Sequence, residues 1–571
     1  MCGICGIVHG DTAQVVNPAA LRRMLDALNH RGPDDEHHWL EGHAALGARR
    51  LSILDVERGR QPVVSPDANW VVALNGEIYN HLELRPELES KGARFETTCD
   101  TETLLHAVIT WGDDAAKRFN GMFAYAAYDR ARDRLILVRD QLGIKPLYYA
   151  ETHGALVFAS ELDALMRSGL VSDEIDPQAV DAFFTWQYVP APGTIYRGAW
   201  KLRPGERMVW QDGLLTKERW WAPAYQGDGD CTIRDAAEAF RHHLDDSVRL
   251  QRLSDRPLGA FLSGGVDSSC VVAALAAQST TPVKTFSIGF DNPEANELPY
   301  ARLVAERFGT EHTEAILNPN LVTLLPELAV HFGEPFADSS AIPTWLVSKL
   351  AREQVVVVLS GDGGDELFAG YTWLHRTLAV ARYQQLPRTL RLALSRLNAL
   401  LGASPFSGKV RRFAADGCAP IEAAFARRHM TFDSAQRAAL FAPDFAECVR
   451  EDATPVLDPA YATELAALRP RERMLAYDLL TYLPDDILTK VDRMTMAHSL
   501  EARVPLLDHR LVEFANALPF QLKFDGRTSK RVMKAAYAVE LPPEVLRQRK
   551  RGFSIPVDRW FRGPWRGFAE E

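Results

Sequence analysis

The sequence predicts a two-part α/β protein: paired β-sheets in roughly the first two hundred residues, then an open, doubly wound parallel sheet with a helical C-terminal part. Three observations lead there. The apolar run Leu258 to Leu262 breaks into Ser263-Gly264-Gly265-Val266-Asp267-Ser268-Ser269 and resumes as an apolar stretch from Cys270 to Ala277, a strand, a glycine turn and a helix start. Val355 to Val358 ends in Leu359-Ser360-Gly361-Asp362-Gly363-Gly364-Asp365-Glu366, a buried strand delivering an acidic loop at its carboxyl end, where open α/β sheets bind ligands. Before residue 200, short segments such as Asn120 to Asp129, with Arg134 to Val138 as hairpin partner, alternate small and aromatic residues and read as many short strands.

A chain of 571 residues is too long for one ordinary core, and a prior of roughly 100–200 residues per domain suggests two to four units. Hydrophobic residues make up 47% and charged residues 25%, the balance of a soluble globular protein. No apolar run approaches the roughly 18 residues of a membrane span, so no membrane partner is expected. The formal charge of −10 gives no basic footprint for nucleic acid. Seven irregularly spaced cysteines form no disulfide framework and fit a reducing compartment; with no basic start or long apolar core of a signal peptide, a cytoplasmic protein is expected.

The chain begins Met1-Cys2-Gly3-Ile4-Cys5-Gly6. Removal of Met1 would leave Cys2 with a thiol and a free α-amine within reach of each other. That amine titrates near 8 and is partly neutral at physiological pH, so it could take the thiol proton itself. A buried structural cysteine at a strand start is the other reading, as for Cys5. Polar turns and strands follow: His30-Arg31-Gly32-Pro33-Asp34, Arg50-Leu51-Ser52-Ile53-Leu54, Leu74-Asn75-Gly76-Glu77-Ile78-Tyr79-Asn80 and Thr97-Thr98-Cys99-Asp100. Between about Ile195 and Thr232 the chain becomes rich in Gly, Pro, Trp and Asp, which reads as a domain boundary. An amphipathic helix from Ile233 to Leu253 carries Ala236, Ala237, Phe240, Leu244, Val248 and Leu250 into the glycine loop.

At that loop the free N–H groups and the positive helix end point at one spot, and Gly264 and Gly265 let an anion approach the main chain. Ser263, Ser268 and Ser269 add donors. Asp267 is unsuited to an anion site unless a cation such as Mg²⁺ lies between carboxylate and phosphate. No Lys follows the glycines, so this is not a Walker loop. Lys284 to Phe290 reads as the next strand, with a helix near Leu298 to Phe308. The span from about Leu386 to Pro470 carries helical patterns and no motif. Arg547-Gln548-Arg549-Lys550-Arg551-Gly552-Phe553 is a short basic run that closes an anionic pocket or faces water. His37-His38 and His242-His243 lack further ligands, so no zinc site is expected.

The first-half segments together resemble the class II, N-terminal-nucleophile glutamine amidotransferase domain, a four-layered α-β-β-α fold. Ser-Gly-Gly-x-Asp-Ser-Ser resembles the pyrophosphate loop of enzymes that split ATP between its α and β phosphates. With the Ser360–Glu366 loop, Asp485 to Met494 and Ala497 to His509, the second half resembles the ATP-pyrophosphatase domain of glutamine-dependent asparagine synthetases. The resemblance implies 1–205 as the glutaminase domain, 206–235 as linker and 236–571 as the synthetase domain. It implies Cys2 as nucleophile, Asn75 and Gly76 as oxyanion donors, Arg50 on the α-carboxylate of glutamine with Leu51, Ser52, Ile53 and Leu54 beside it, and Glu77 and Asp100 on the α-ammonium. Leu262 and Ile288 would line the nucleoside, Ser360 and Gly361 would contact the nucleotide, and Asp267 and Asp365 would hold Mg²⁺. Asp362 stands where familiar members carry Glu and would help form the aspartyl-adenylate; Lys530 would stabilise developing negative charge. Glutamine, aspartate and ATP are the implied substrates, and a homodimer is common in the family. A ligase of the same architecture acting on another carboxylate, and a sugar-phosphate amidotransferase sharing only the first domain, are the rivals.

Overall fold

The computed structural model describes residues 2–225, 231–290, 296–316, 321–399, 405–449, 461, 465–548, 560–563 and 565–570. Its first part contains two six-stranded sheets. One runs in the order β10 (Ala199–Lys201), β8 (Tyr148–Thr152), β9 (Ala155–Ala159), β1 (Cys2–His9), β3 (Ala44–Arg50), β2 (Asp35–Glu41). The other runs β12 (Leu214–Arg219), β11 (Glu206–Gln211), β7 (Arg134–Arg139), β6 (Gly121–Asp129), β5 (Trp70–Ile78), β4 (Val63–Val64). The alternation of each strand sets the layers. Ile4 and Val8 of β1 join Leu46, Ala73, Ala126 and Leu137 in a core between the sheets, while Cys5 and Ile7 face outward onto the helices Pro18–Ala27 and Leu162–Arg167. On the far side the helix Asp100–Trp111 covers the second sheet. The result is the expected α-β-β-α stack.

The boundary differs from the expected one. Residues 206–219, expected as linker, are the outer hairpin of the second sheet, with β11 pairing β7 and Met208 and Trp210 buried. Asp212 and Gly213 at its tip both have positive φ, the Asp-Gly turn that suits a two-residue hairpin. Part of the Gly- and Trp-rich composition that suggested a linker belongs to this hairpin; residues 226–230 lie outside the described residues.

The second part opens with the helix Ile233–Gln251, in which all six expected apolar positions are buried. A five-stranded, wholly parallel sheet follows, in the order β15 (Glu311–Ile316), β14 (Lys284–Gly289), β13 (Leu258–Phe261), β16 (Val357–Leu359), β17 (Glu501–Arg503). The chain order therefore reverses between β13 and β16, and the loops leaving these two strands open onto one crevice. The uninterpreted span holds helices Arg388–Ala399, Pro405–Cys418, Ile421–His429, Ser434–Leu440 and Pro443–Cys448. Beyond it a π-helical stretch, Asp478–Leu488, runs through Pro484 into the helix Thr489–Met496. Of the basic run, Arg549 to Phe553 lies outside the described residues. No helix among the described residues is long and apolar enough to cross a membrane.

The two parts share an interior. Leu51, Ile53, Tyr79, Met122, Leu142 and Ile144 of the first belong to one packed cluster with Phe240, Leu262, Leu359, Leu488 and Val504 of the second. The main chain is stitched there as well: Asp255 N–H donates to Ile53 O at 3.0 Å, and Asp55 N–H donates to Asp255 Oδ2 at 2.8 Å.

Candidate active site

Cys2 starts β1, 4% exposed, between β3 and the end of β5. Burial pushes its thiol above the usual value, against the pull of Arg50 and a Leu51 main-chain N–H. Gln61 Nε2 donates to Cys2 Sγ at 3.6 Å, while Gln61 Oε1 accepts from Leu74 N–H at 2.7 Å. Asn75 turns its Oδ1 to the Cys2 main-chain N–H at 3.4 Å. Its Nδ2 is buried and has no acceptor among the described residues. Gly76 has φ +139°, and a Cβ there would lie 2.0 Å from Met122 O, so a side chain is excluded both by backbone conformation and by space. An unsatisfied donor beside a buried thiol is a place for an oxyanion.

Glu77 and Asp100 lie close by. Asp100 opens its helix and accepts from Ile78 N–H at 2.8 Å. Glu77 is buried, and its Oε2 has no hydrogen-bond partner among the described residues. Burial, then the Asp100 and Glu501 carboxylates, push the Glu77 carboxyl well above the usual range, while Arg503 stands 3.8 Å away. Its unbonded Oε2 is left able to accept from a further donor, such as an α-ammonium. The Arg50 fork is turned on its own chain, Nη1 donating to Asp35 Oδ2 at 3.3 Å and Val56 O at 3.2 Å, and Nη2 to Leu54 O at 2.7 Å and Asp55 O at 2.9 Å. These bonds tie it to the 54–56 segment and to Asp35 of β2. Gly59 makes room for it, since a Cβ there would lie 2.3 Å from Arg50 Nη2. Leu51, Ser52 and Ile53, which follow Arg50, are buried, and Ser52 N–H donates to Asp34 Oδ2 at 2.9 Å.

The second crevice is a cavity of about 400 Å³ at the β13/β16 reversal, lined by Leu262, Ser263, Asp267, Ser268, Ile288, Ser360, Gly361, Asp362 and Asp365 among others. Gly264 takes φ +79° and passes so close to the next helix that a Cβ would lie 2.5 Å from Ala301 N. Gly265 caps the helix Val266–Ala277 and its N–H donates to Ser263 Oγ at 3.2 Å. Ser269 is fully buried with its hydroxyl unpartnered among the described residues. The two loops interlock: a Cβ on Gly361 would lie 2.6 Å from Ser268 N, and one on Gly364 would lie 2.5 Å from Asp267 Oδ1. Ser360 Oγ donates to Asp362 Oδ2 at 2.5 Å.

Lys530, distant in sequence, reaches two carboxylates of this crevice. Its ammonium pairs with Asp267, and with Asp365 Oδ1 at 2.6 Å. Its backbone is left-handed at φ +55°, a conformation a lysine seldom takes. Two carboxylates from two loops thus converge on one ammonium; they are hard oxygen donors of the kind Mg²⁺ takes, with its remaining positions left to phosphate and water. No group of three or more His, Cys, Asp or Glu among the described residues is arranged to hold a metal unaided. Sequence reasoning missed Gln61, Gly59 and Gly370. A Cβ on Gly370 would lie 1.8 Å from Asp365 Oδ1 and 2.3 Å from Lys530 Cε. It also missed Asp338, Tyr371 and Trp373, which line the cavity together with Glu366 and Lys490 of the segments already singled out. Burial pushes Glu366 up to about 8.

The asparagine synthase family model matches residues 239–571, and the glutamine amidotransferase domain model matches 1–221. Glutamine-hydrolyzing asparagine synthetase 1 of Bacillus subtilis (strain 168) is 34% identical over 570 residues, covering 98% of this chain and 88% of the relative. A putative glutamine-hydrolyzing asparagine synthetase of Mycobacterium tuberculosis (strain ATCC 25618 / H37Rv) is 35% identical over 591 residues, covering 98% and 88% likewise. Glutamine-hydrolyzing asparagine synthetase B of Escherichia coli (strain K12) is 30% identical over 394 residues, covering 66% of each. The two family models together span 1–221 and 239–571, and relatives at 34–35% identity cover 98% of the chain, so this chain belongs to the glutamine-hydrolysing asparagine synthetase family.

Proposed function

We propose that the chain amidates L-aspartate to L-asparagine with nitrogen from glutamine, by way of β-aspartyl-AMP, releasing AMP, pyrophosphate and glutamate. With Met1 removed, the α-amine of Cys2 takes the thiol proton and the thiolate attacks the glutamine side-chain amide. Asn75 Nδ2 and the Gly76 N–H receive the oxyanion, Glu77 and Asp100 hold the α-ammonium, and Arg50, with Leu51 to Leu54 beside it, holds the α-carboxylate. Ammonia leaves as the thioester forms, and hydrolysis of that thioester returns glutamate. In the crevice, Ser263 to Ser269 and the start of the helix Val266–Ala277 cradle the phosphates, Leu262 and Ile288 border the nucleoside, and Ser360 and Gly361 fix its orientation. Mg²⁺, held by Asp267 and Asp365, would neutralise the pyrophosphate. Lys530 adds fixed positive charge at the leaving group, and Asp362 orders the Ser360 hydroxyl beside it. Ammonia then attacks the mixed anhydride. The shared apolar interior keeps bulk water, which would protonate ammonia, away from the region between the sites. A cytoplasmic homodimer completes the reading.

The observation that carries it is the pair of unsatisfied groups flanking Cys2, the Asn75 donor and the Glu77 acceptor. In Cys2→Ala, synthesis from glutamine is lost while synthesis from added ammonium persists. Equal loss of both, retention of Met1 in active enzyme by intact mass, or release of ADP and orthophosphate in place of AMP would overturn the scheme. Glutamine hydrolysis without asparagine, with aspartate as sole acceptor, would assign a different carboxylate.

A further inference from the structure

Cys2 is held by a residue its own motif does not contain. Arg31 is fully buried, and its Nε donates to the main-chain oxygen of Cys2 at 3.2 Å. The two terminal nitrogens of the same guanidinium reach into the second part of the chain. Nη1 donates to Asp492 Oδ2 at 2.7 Å and Nη2 to Asp492 Oδ1 at 3.0 Å, a bidentate pair across 461 residues of sequence. Glu161 Oε1 takes a second bond from Nη1 at 2.9 Å and is itself gripped by Arg493 Nη1 at 2.5 Å. Lys145 Nζ lies 3.4 Å from Asp492 Oδ1. Asp492 belongs to the helix Thr489–Met496, whose Lys490 and Val491 line the ATP-side cavity. One short helix therefore faces the synthetase crevice and grips the arginine that holds the glutaminase nucleophile.

We propose that Asp492, a synthetase-domain residue, is a positioning residue for Cys2, acting through Arg31 to fix the main chain from which the thiol attacks. This rests on the reading of Cys2 as the glutaminase nucleophile. A planar guanidinium clamped on both terminal nitrogens cannot rotate, so its third donor is aimed at Cys2 O. With the clamp loosened, the thiol drifts from its in-line position towards the amide carbon. A displacement of about 1 Å costs on the order of a hundredfold in rate. The substrate contacts of Glu77 and Asp100 are not part of this chain of bonds, so binding of glutamine is spared.

The test uses full-length Asp492→Asn and Arg31→Lys. The first keeps shape and one acceptor oxygen. The second keeps the positive charge facing Asp492 and Glu161 but cannot bond all three acceptors at once. Both are expected to lower kcat for glutamine hydrolysis at least tenfold with KM for glutamine changed less than threefold. Alkylation of Cys2 by a glutamine-like affinity label should slow in parallel, and ammonium-dependent synthesis by the same preparation should stay within threefold of the parent. If both variants hydrolyse glutamine at the parental rate, or if the loss falls on KM, the inference is overturned. Parallel loss of the ammonium-dependent reaction in both variants also overturns it, since the pair then serves the whole fold rather than the nucleophile. Cys2→Ala runs alongside: if it still hydrolyses glutamine, the underlying assignment of the nucleophile fails instead.

Discussion

Replacing Asn75 with alanine separates transition-state stabilisation from folding. In the resting protein the Asn75 amide makes one contact, Oδ1 accepting from Cys2 N–H at 3.4 Å, near the limit of a hydrogen bond. Nδ2 makes none among the described residues. Truncation therefore removes one weak bond and a buried donor already carrying its desolvation penalty, so the change in folding free energy stays within about 1 kcal/mol. For a chain this size that moves Tm by no more than about 4 °C. In the proposed tetrahedral state the same amide would supply one oxyanion donor, and losing such a donor costs about 3–4 kcal/mol, or roughly 10²–10³ in kcat. Glutamate release should accordingly show kcat and kcat/KM falling together by that factor, with KM changed less than about threefold. Ammonium-dependent synthesis should be untouched. A loss in kcat below tenfold, or one expressed mainly in KM, would mean that the unsatisfied nitrogen does not face the oxyanion.

Three further outcomes are expected. Lys530→Gln keeps the size of the side chain but removes the charge between Asp267 and Asp365, so ATP–pyrophosphate exchange should fall by about 10² or more while glutamine hydrolysis stays within twofold; exchange within fivefold of the parent contradicts the role. Gly370→Ala places a carbon 1.8 Å from Asp365 Oδ1, and the forced shift should lower stability by about 1–3 kcal/mol and exchange with it, read by denaturant unfolding. Burial pushes Lys523 down to about 7. Between that value and its unfolded value of 10.5 the unfolded chain binds the extra proton, so stability should rise with pH across this window. Lys523→Met should flatten the rise, and an unchanged pH profile of Tm would refute it.

What the sequence made legible was local chemistry. Cys2, Asn75-Gly76-Glu77, the Ser263–Ser269 loop and the Ser360–Asp365 loop each stand out as candidate sites within a few residues, and the many short strands suggested paired sheets, whose four-layered stack the resemblance implied. What escaped was decided by pairing over distance. Gln61 is an ordinary glutamine until folding brings its amide to Cys2 Sγ. Arg31 and Asp492 are unremarkable charges in their own segments and become a pair only when the two parts dock. Gly370 gave no turn signal, because its requirement is set by Lys530 and Asp365 arriving from elsewhere. The β11–β12 hairpin was mistaken for linker because its Asp212-Gly213 turn sits within a Gly- and Trp-rich stretch. The bonds of the Arg50 fork to Asp35 of the neighbouring strand and to three main-chain oxygens of residues 54–56 are likewise set by pairing that no local pattern announces.

The packed cluster that joins Leu51 and Ile53 to Leu262, Leu359 and Leu488 has a bearing on how such a chain can change. Halves fastened by a few surface charges could be exchanged like cartridges, one nitrogen source for another. Here, trading the front half for a foreign amidotransferase would leave two apolar faces cut to different shapes, and any successful graft would have to carry its complementary wall along. Variation at Ile53 or Met122 should therefore travel with variation across the seam, and the two catalytic halves are inherited as one.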